Sequence, residues 1–450
     1  MPEVRVARRA AATLALLSFA FAPGKAASGE LDPSFGNGGR ILTAVGPYDD
    51  HASALAVQND GRILAAGVTR SGAGVTNDWV LLRYRKDGGF DKTFGTDGKV
   101  VTDLGSNGDQ AFAMVLQPDR KIVVGGVASI GPGGSGAWVL ARYDRNGTLD
   151  SSFGVGGTAV TPFAPGARSD DDVVRALLVQ PDGKIVAAGL VGGEDFGLAR
   201  YRPDGTLDTT FGSLGTVRTD FDAGRDVAYG LGLLPDGRIV AAGLAERPNE
   251  PPIDDRGTLV PATDFAVARY MQNGTLDPSF DGDGKVTTDF DLGADEARGV
   301  AVQADGRIVA AGVTVFGSAR RSDVALARYT ADGALDATFA NGGTIVTDFD
   351  EGYDSANAVG LQANGKIVVA GNAMDRSGQD GFALARYTPE GTLDTGFGEG
   401  GKVMTQIGVG GQAFALALED DGQIVAAGHA SSQATGLDFA LARYVGDKRG

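Results

Sequence analysis

The residues best suited to chemistry in this chain are carboxylates in a recurring pattern. Asp220, Asp222 and Asp226 lie in a segment of the form D-x-D-x-G-x-D. The pattern returns with Asp289, Asp291 and Asp295, and again with Asp348, Asp350 and Asp354. Alternating carboxylates around a glycine turn suit a hard cation such as Ca²⁺, which gathers several oxygens in a curved loop. The fuller EF-hand series, with its terminal glutamate, is missing, and aspartate is equally a turn former through its own backbone hydrogen bonds. These nine residues are therefore candidate ligands for Ca²⁺, with turn chemistry as the competing reading.

A second acidic set is Asp50, Asp109, Asp172, Asp226, Asp295 and Asp354, each placed just before a short apolar run. A longer insertion in the fourth unit adds Glu246, Glu250, Asp254 and Asp255. Gathered on one face, these charges would attract a cation or a basic protein patch. The two histidines, His51 and His429, are the remaining acid–base candidates, with Asp49 and Asp50 beside the first. There is no G-x-S-x-G elbow, phosphate-cradling loop or zinc spacing. The absence of cysteine excludes disulfides, thiol catalysis and thiolate metal sites. A formal charge of −17 argues against nucleic acid as a partner, because phosphate neutralisation needs clustered Lys and Arg.

What must position these residues is a repeat. LDxxF recurs as LDPSF at 31, FDKTF at 90, LDSSF at 149, LDTTF at 207, LDPSF at 276, LDATF at 335 and LDTGF at 393. The intervals are 58 or 59 residues, with one of 69. An Arg-Tyr pair at 83, 142, 200, 269, 328, 386 and 443 keeps the same step, as do turns such as QPDGK at 180. Each unit holds four short β runs separated by turn residues, and runs such as IVAAG at 239 lack polar alternation. A strand apolar on both sides must be covered on both faces. A ring of four-stranded sheets supplies that cover, so the chain is predicted to be an all-β, seven-bladed β-propeller. A β-helix is the other repeat architecture considered, but a coil of about 59 residues is too long for one.

The chain ends predict how the ring closes. One strand stands at the start, near 39–45, and three stand at the end, so the last blade should take its fourth strand from the N-terminal arm. This 3+1 closure removes two free sheet edges. In the first six units the Arg of Arg-Tyr precedes the Asp of LD by eight residues, as with Arg269 and Asp277. Arg443 has no such Asp after it and Asp32 has no such Arg before it, so the two should meet in the closing blade as a structural pair. Residues 1–28 read as a secretory signal peptide: Arg5, Arg8 and Arg9 precede an apolar run from Ala10 to Ala22, and small residues follow at Ala26–Ser28. The propeller then occupies 29–450, with no stretch long enough to span a membrane. The product is expected to be exported, to the periplasm, the cell surface or the medium.

With LDxxFGxxG, the QPDGK turn and the FALARY strand in view, the chain resembles the delta-60 repeat proteins of bacteria and, more distantly, NHL-type propellers. The resemblance covers roughly residues 30–445. It implies a secreted or surface-associated repeat protein without an established activity, and supplies no catalytic residues. Arg120 departs from the pattern at a turn glycine, and Asp281 and Ala340 at the glycine after Phe. The expected function is a monomeric, non-enzymatic binding or scaffold module acting through its acidic face on a protein, a cation or a cell-surface ligand. The alternative is a Ca²⁺-assisted hydrolase or lyase at the channel mouth. That would need non-repeated polar residues converging on the axis, of which the sequence offers His51.

Overall fold

Short β runs bounded by Asp-Gly and Gly-Gly turns can only bury their apolar faces by stacking as sheets. In the computed structural model this is what they do. The structure describes residues 26–447 except 71–75, 106–107, 130–135, 162, 164–171, 223, 248–261, 291–292, 317–320, 351 and 433–435. The segment up to residue 25, which the sequence leads one to expect as a signal peptide, lies outside the described residues, as do Glu250, Asp254, Asp255 and Asp291. The first unit folds as β2 (Asp50–Val57), β3 (Ile63–Arg70), β4 (Asn77–Tyr84) and β5 (Lys99–Thr102), antiparallel and in that spatial order. Six more units repeat the arrangement. Two neighbours count as one eight-stranded sheet because a single parallel bridge, Thr263 to Ala294, joins them.

The innermost strands are β2, β6 (Gln110–Leu116), β10 (Val173–Val179), β14 (Asp226–Leu233), β18 (Ala294–Val302), β22 (Ser355–Leu361) and β26 (Gly411–Leu418). Each touches the innermost strands of both neighbours, and β26 returns to β2. The ring is closed: a seven-bladed β-propeller. Second strands are buried over most of their length, and β11 (Ile185–Val191) over all of it, which explains the missing polar alternation. The closing sheet runs β1 (Arg40–Thr43), β28 (Gly436–Tyr444), β27 (Ile424–Ser432), β26, with Arg40 opposite Ala442 and Thr43 opposite Phe439. Where turn glycines are replaced, the backbone keeps the left-handed conformation: φ is +68° at Arg120, +51° at Asp281 and +43° at Ala340.

The Arg-Tyr pair ties each blade to both neighbours. Adjacent strand residues point to opposite faces, so the Arg reaches one way and the Tyr the other. Arg200 bonds Asp208 at 2.9 Å, lies over the Phe211 ring at 4.6 Å and donates to the Gln272 carbonyl of the next blade at 2.5 Å. Tyr201 shares a 2.6 Å hydrogen bond with Thr161 of the preceding blade. The Lys or Arg of the hairpin turn adds a second cation to the same aspartate, for example Lys184 on Asp208 at 3.3 Å. At the closure Arg443 pairs with Asp32 at 2.8 Å, covers Phe35 and donates to the Lys86 carbonyl of the first blade at 2.6 Å. Asp32 also accepts from the Ser34 amide and hydroxyl.

Asp32 and Arg443 are 7% and 3% exposed, so removing one leaves a buried charge without its partner. Arg443→Gln is expected to lower unfolding free energy by about 3–5 kcal/mol in urea titration. A loss below ~0.5 kcal/mol would show that the closure does not depend on this pair.

Candidate functional site

Each innermost strand carries one residue too many for its ladder. Ala52 faces Gly67 and Ala54 faces Ala66, which leaves Ser53 without a partner. The same bulge sets out Phe112, Arg175, Tyr229, Arg298, Asn357 and Phe414 in the other six blades. The cause lies opposite, in the second strand, where every blade has glycine. A Cβ on Gly189 would stand 1.9 Å from the Val173 carbonyl oxygen, and the other six positions are as tight. Glycine lets the carbonyl lean in, and the extra residue turns out of the ladder. The free edge of an innermost strand faces the axis, so the seven bulges form an axial ring, and all seven side chains are half-buried.

The residues before each bulge (Ala52, Ala111, Val174, Ala228, Ala297, Ala356 and Ala413) and after it (mostly Ala or Gly) are small. The bulged residue itself runs Ser, Phe, Arg, Tyr, Arg, Asn, Phe around the ring. This corrects the expectation that only His51 breaks the repeat near the axis. The sequence signal was present as the one variable place in a small-x-small frame. The bulge that gives it meaning needs the ladder register.

The ring residues touch one another. The Arg175 guanidinium lies 4.2 Å from the Phe112 ring centre and 5.9 Å from that of Tyr229. Arg298 pairs with Glu296 at 2.8 Å and donates to Asn357 at 2.9 Å, and Asn357 donates to the Ala413 carbonyl at 2.7 Å. Phe414 packs on His429 at 5.3 Å, and His429 meets His51 at 6.3 Å between ring centres. Burial lowers the pKa of both histidines, that of His429 to about 4, so His429 is neutral at pH 7. Asp49 and Asp50 are engaged elsewhere: Asp49 accepts from the Leu437 amide, and Asp50 from the Val45 and Gly46 amides.

The six aspartates expected as an open acidic ring are buried. Asp50, Asp109, Asp226, Asp295 and Asp354 have no exposed surface, and Asp172 has 6%. The first five clamp the turn entering the innermost strand by accepting the amide five residues earlier, as Asp226 does from Phe221 at 2.7 Å. Asp172 accepts from Gly192 at 2.5 Å. The D-x-D-x-G-x-D ends do converge, but the third carboxylate comes from the preceding blade and not from the middle position. The clusters are Asp195–Asp220–Asp226, Asp264–Asp289–Asp295 and Asp323–Asp348–Asp354, with carboxylate oxygens within 4.8 Å of one another. Asp78–Asp103–Asp109 forms a fourth that the pattern does not show. Asp222 is exposed, and Asp350 pairs with Arg376 at 3.4 Å. Glu246 accepts from the Arg225 amide at 3.0 Å.

Burial pushes Asp226 up to about 7 and Asp109, Asp295 and Asp354 up to about 6. For Asp226 the neighbouring Asp220 adds to the rise, while the Phe221 amide and Lys285 oppose it. Arg218 pairs with Asp195 in the same cluster. Three carboxylates this close either share protons or hold a cation; the residues fit a hard ion such as Ca²⁺ with other oxygens completing its shell.

Comparison with known proteins was then informative at the level of family. The model for a Domain of unknown function (DUF5122) beta-propeller matches residues 58–94, 117–153, 180–211, 258–280, 303–339, 362–397 and 419–446, together just over half of the chain. No curated protein matches. Among solved structures, a protein of unknown function from Dyadobacter fermentans is similar at 10% identity and TM-score 0.49, covering 91% of this chain and 98% of that one. The β-propeller domain of the trilobed protease from Pyrococcus furiosus is similar at 10% identity and TM-score 0.42, covering 88% and 95%. An endo-arabinanase from Bacillus licheniformis gives 10% identity and TM-score 0.35, covering 59% and 91%.

Gly189→Ala should force Val173 and Arg175 out of their present positions and lower stability by about 1–3 kcal/mol. Gly215→Ala, at a left-handed turn remote from the ring, is the comparison; only the first variant should alter ring-dependent binding. Because Asp226 holds its proton more tightly folded than unfolded, its contribution is complete below about pH 4 and lost as pH rises through 7. In chelator, wild-type melting temperature should therefore fall across that window and Asp226→Asn should fall less. Abolition of the wild-type fall by added Ca²⁺ would mark the clusters as cation sites instead.

Proposed function

The chain belongs to the family described as Domain of unknown function (DUF5122) beta-propeller, and from that premise we propose that it is an exported, non-enzymatic binding module whose ligand seat is the axial ring of bulge residues. One observation carries this reading: the ring is where a nearly uniform frame presents seven side chains of differing chemistry. Side chains between blades must fill shared core, as Phe211 and Leu198 do, and that constrains them to one shape. A bulged side chain at the axial edge escapes the constraint. It can be varied without disturbing the blades, which is what a recognition surface requires.

Binding fits the ring better than catalysis does. Among the described residues its histidines are half-buried, Glu296 is held by Arg298, and Asp49 and Asp50 are committed to backbone amides. Among the described residues of the ring, no general base stands free beside a nucleophile. The burial of the six aspartates moves the proposed seat from an acidic face to the axis. Gly29 donates to the Val445 carbonyl and the Ser28 carbonyl accepts from Gly398, so the closure would stay whole if the cut fell before Ser28, one residue earlier than the 1–28 boundary expected from the sequence.

The test is a thermal-shift screen of small sugars, organic acids and short peptides against wild type, Phe112→Ala and Phe414→Ala. A ligand at ~100 times its Kd should add about 2.7 kcal/mol to wild type, and much less to at least one ring variant. Shifts that persist in both variants would place the seat elsewhere. Turnover of a bound compound would overturn the non-enzymatic reading.

A further inference from the structure

The most unusual member of the ring is Arg175. It stands on the bulge of β10, with the Phe112 ring on one side and the Tyr229 ring on the other, at 4.2 and 5.9 Å. Cation–π contact steadies the guanidinium and fixes its plane, yet leaves the N–H edge unpaired, because π faces accept no strong in-plane hydrogen bond. Its Nε is buried and has no hydrogen-bond partner, and no carboxylate of the described residues pairs with it. Every repeated Arg of the Arg-Tyr pairs, by contrast, has its aspartate, and Arg298 on the same ring has Glu296. In a chain of net charge −17, a half-buried guanidinium with no counter-charge among the described residues is conspicuous, since leaving such a charge unpaired is costly.

We propose that Arg175, framed by Phe112 and Tyr229, is the recognition point for a carboxylate group of a small organic ligand entering the axial channel. The inference rests on the ring being the ligand seat and names the chemistry that seat selects. Arg presents two parallel N–H bonds along one edge, the geometry a carboxylate accepts in a fork. A phosphate would draw on more donors than this ring supplies. Arg298 is already neutralised by Glu296, and the additional positive charge felt at Arg175 comes from the exposed Arg225. The Phe112 ring at 4.2 Å and partial burial lower the local polarity around the guanidinium, which strengthens charge-assisted bonds there. Burial also lowers the Arg175 pKa, and a bound carboxylate would reverse that.

The experiment is calorimetric titration of the full chain with benzoate, acetate, the uncharged isostere benzamide, and inorganic phosphate. Benzoate or acetate is expected to bind wild type, benzamide at least ten-fold more weakly, and Arg175→Gln to weaken the carboxylate at least ten-fold. Arg175→Lys, which keeps the charge and loses the fork, should fall between. Should Arg175→Gln not fold, Arg175→Lys and Tyr229→Leu carry the test, each expected to weaken carboxylate binding without changing the weak binding of benzamide. Equal carboxylate affinity in a folded Arg175 variant, tighter binding of phosphate than of benzoate, or no binding by either carboxylate would overturn the proposal. In the last case neutral ligands that still depend on Phe112 or Phe414 would leave the ring as the seat and remove only its carboxylate selectivity.

Discussion

The rest of the structure depends on a buried guanidinium that three partners hold at once. In each blade the Arg of Arg-Tyr is gripped by the LD aspartate, stacked on the LDxxF phenylalanine and bonded to a backbone carbonyl or side chain of the next blade. In six of the blades the Tyr beside it bonds a Thr of the blade before. A propeller blade has no independent core: each sheet is covered only by its neighbours. A dipeptide that cross-links forward and backward therefore sets blade spacing and angle together. Burying seven guanidiniums is tolerable because each aspartate usually receives a second cation from the hairpin turn, as Asp277 does from Arg238 at 2.7 Å, and because its other oxygen accepts local amide and hydroxyl bonds.

That rigid outer girdle allows irregularity at the axis. Bulges break ladder hydrogen bonds and would weaken isolated sheets, but here each innermost strand is also packed between two others. The glycine of the second strand concentrates the distortion at one residue. Frame and recognition surface are thereby separated: the outer residues repeat because each must fit the same inter-blade gap, and the bulged residues need not.

The acidic seams show the opposite economy. Asp226 and its counterparts hold the turn between blades by accepting an amide, which requires burial, and burial raises their affinity for protons. Three carboxylates from two chain segments end within 4.8 Å at four seams. This is a stability element sensitive to pH in the range where the axial ring, with neutral His429 and permanently charged Arg175, is not.

Much of the architecture was legible in the residues alone. LDxxF and Arg-Tyr in one register predicted seven blades, and the Arg443–Asp32 mismatch predicted the closure, because a repeat converts local spacing into a global count. The acidic pattern was half legible. Asp220 and Asp226 are six residues apart on one turn, but their third partner, Asp195, belongs to another strand. Of the described middle aspartates, Asp222 is exposed and Asp350 pairs with Arg376, so neither completes a cluster. The axial ring was visible only as unexplained variation.

What the sequence by itself determined, then, is the frame: blade number, strand order, the closing arm and the Arg–Asp–Phe clusters, all set by short-range spacing and by the requirement to cover apolar strands on both faces. Only the tertiary structure decided which residues face the axis and which carboxylates meet across a seam. Those outcomes depend on ladder register, where one extra residue opposite a glycine redirects a side chain, and on contacts between segments whose separation along the chain carries no record of their distance in space.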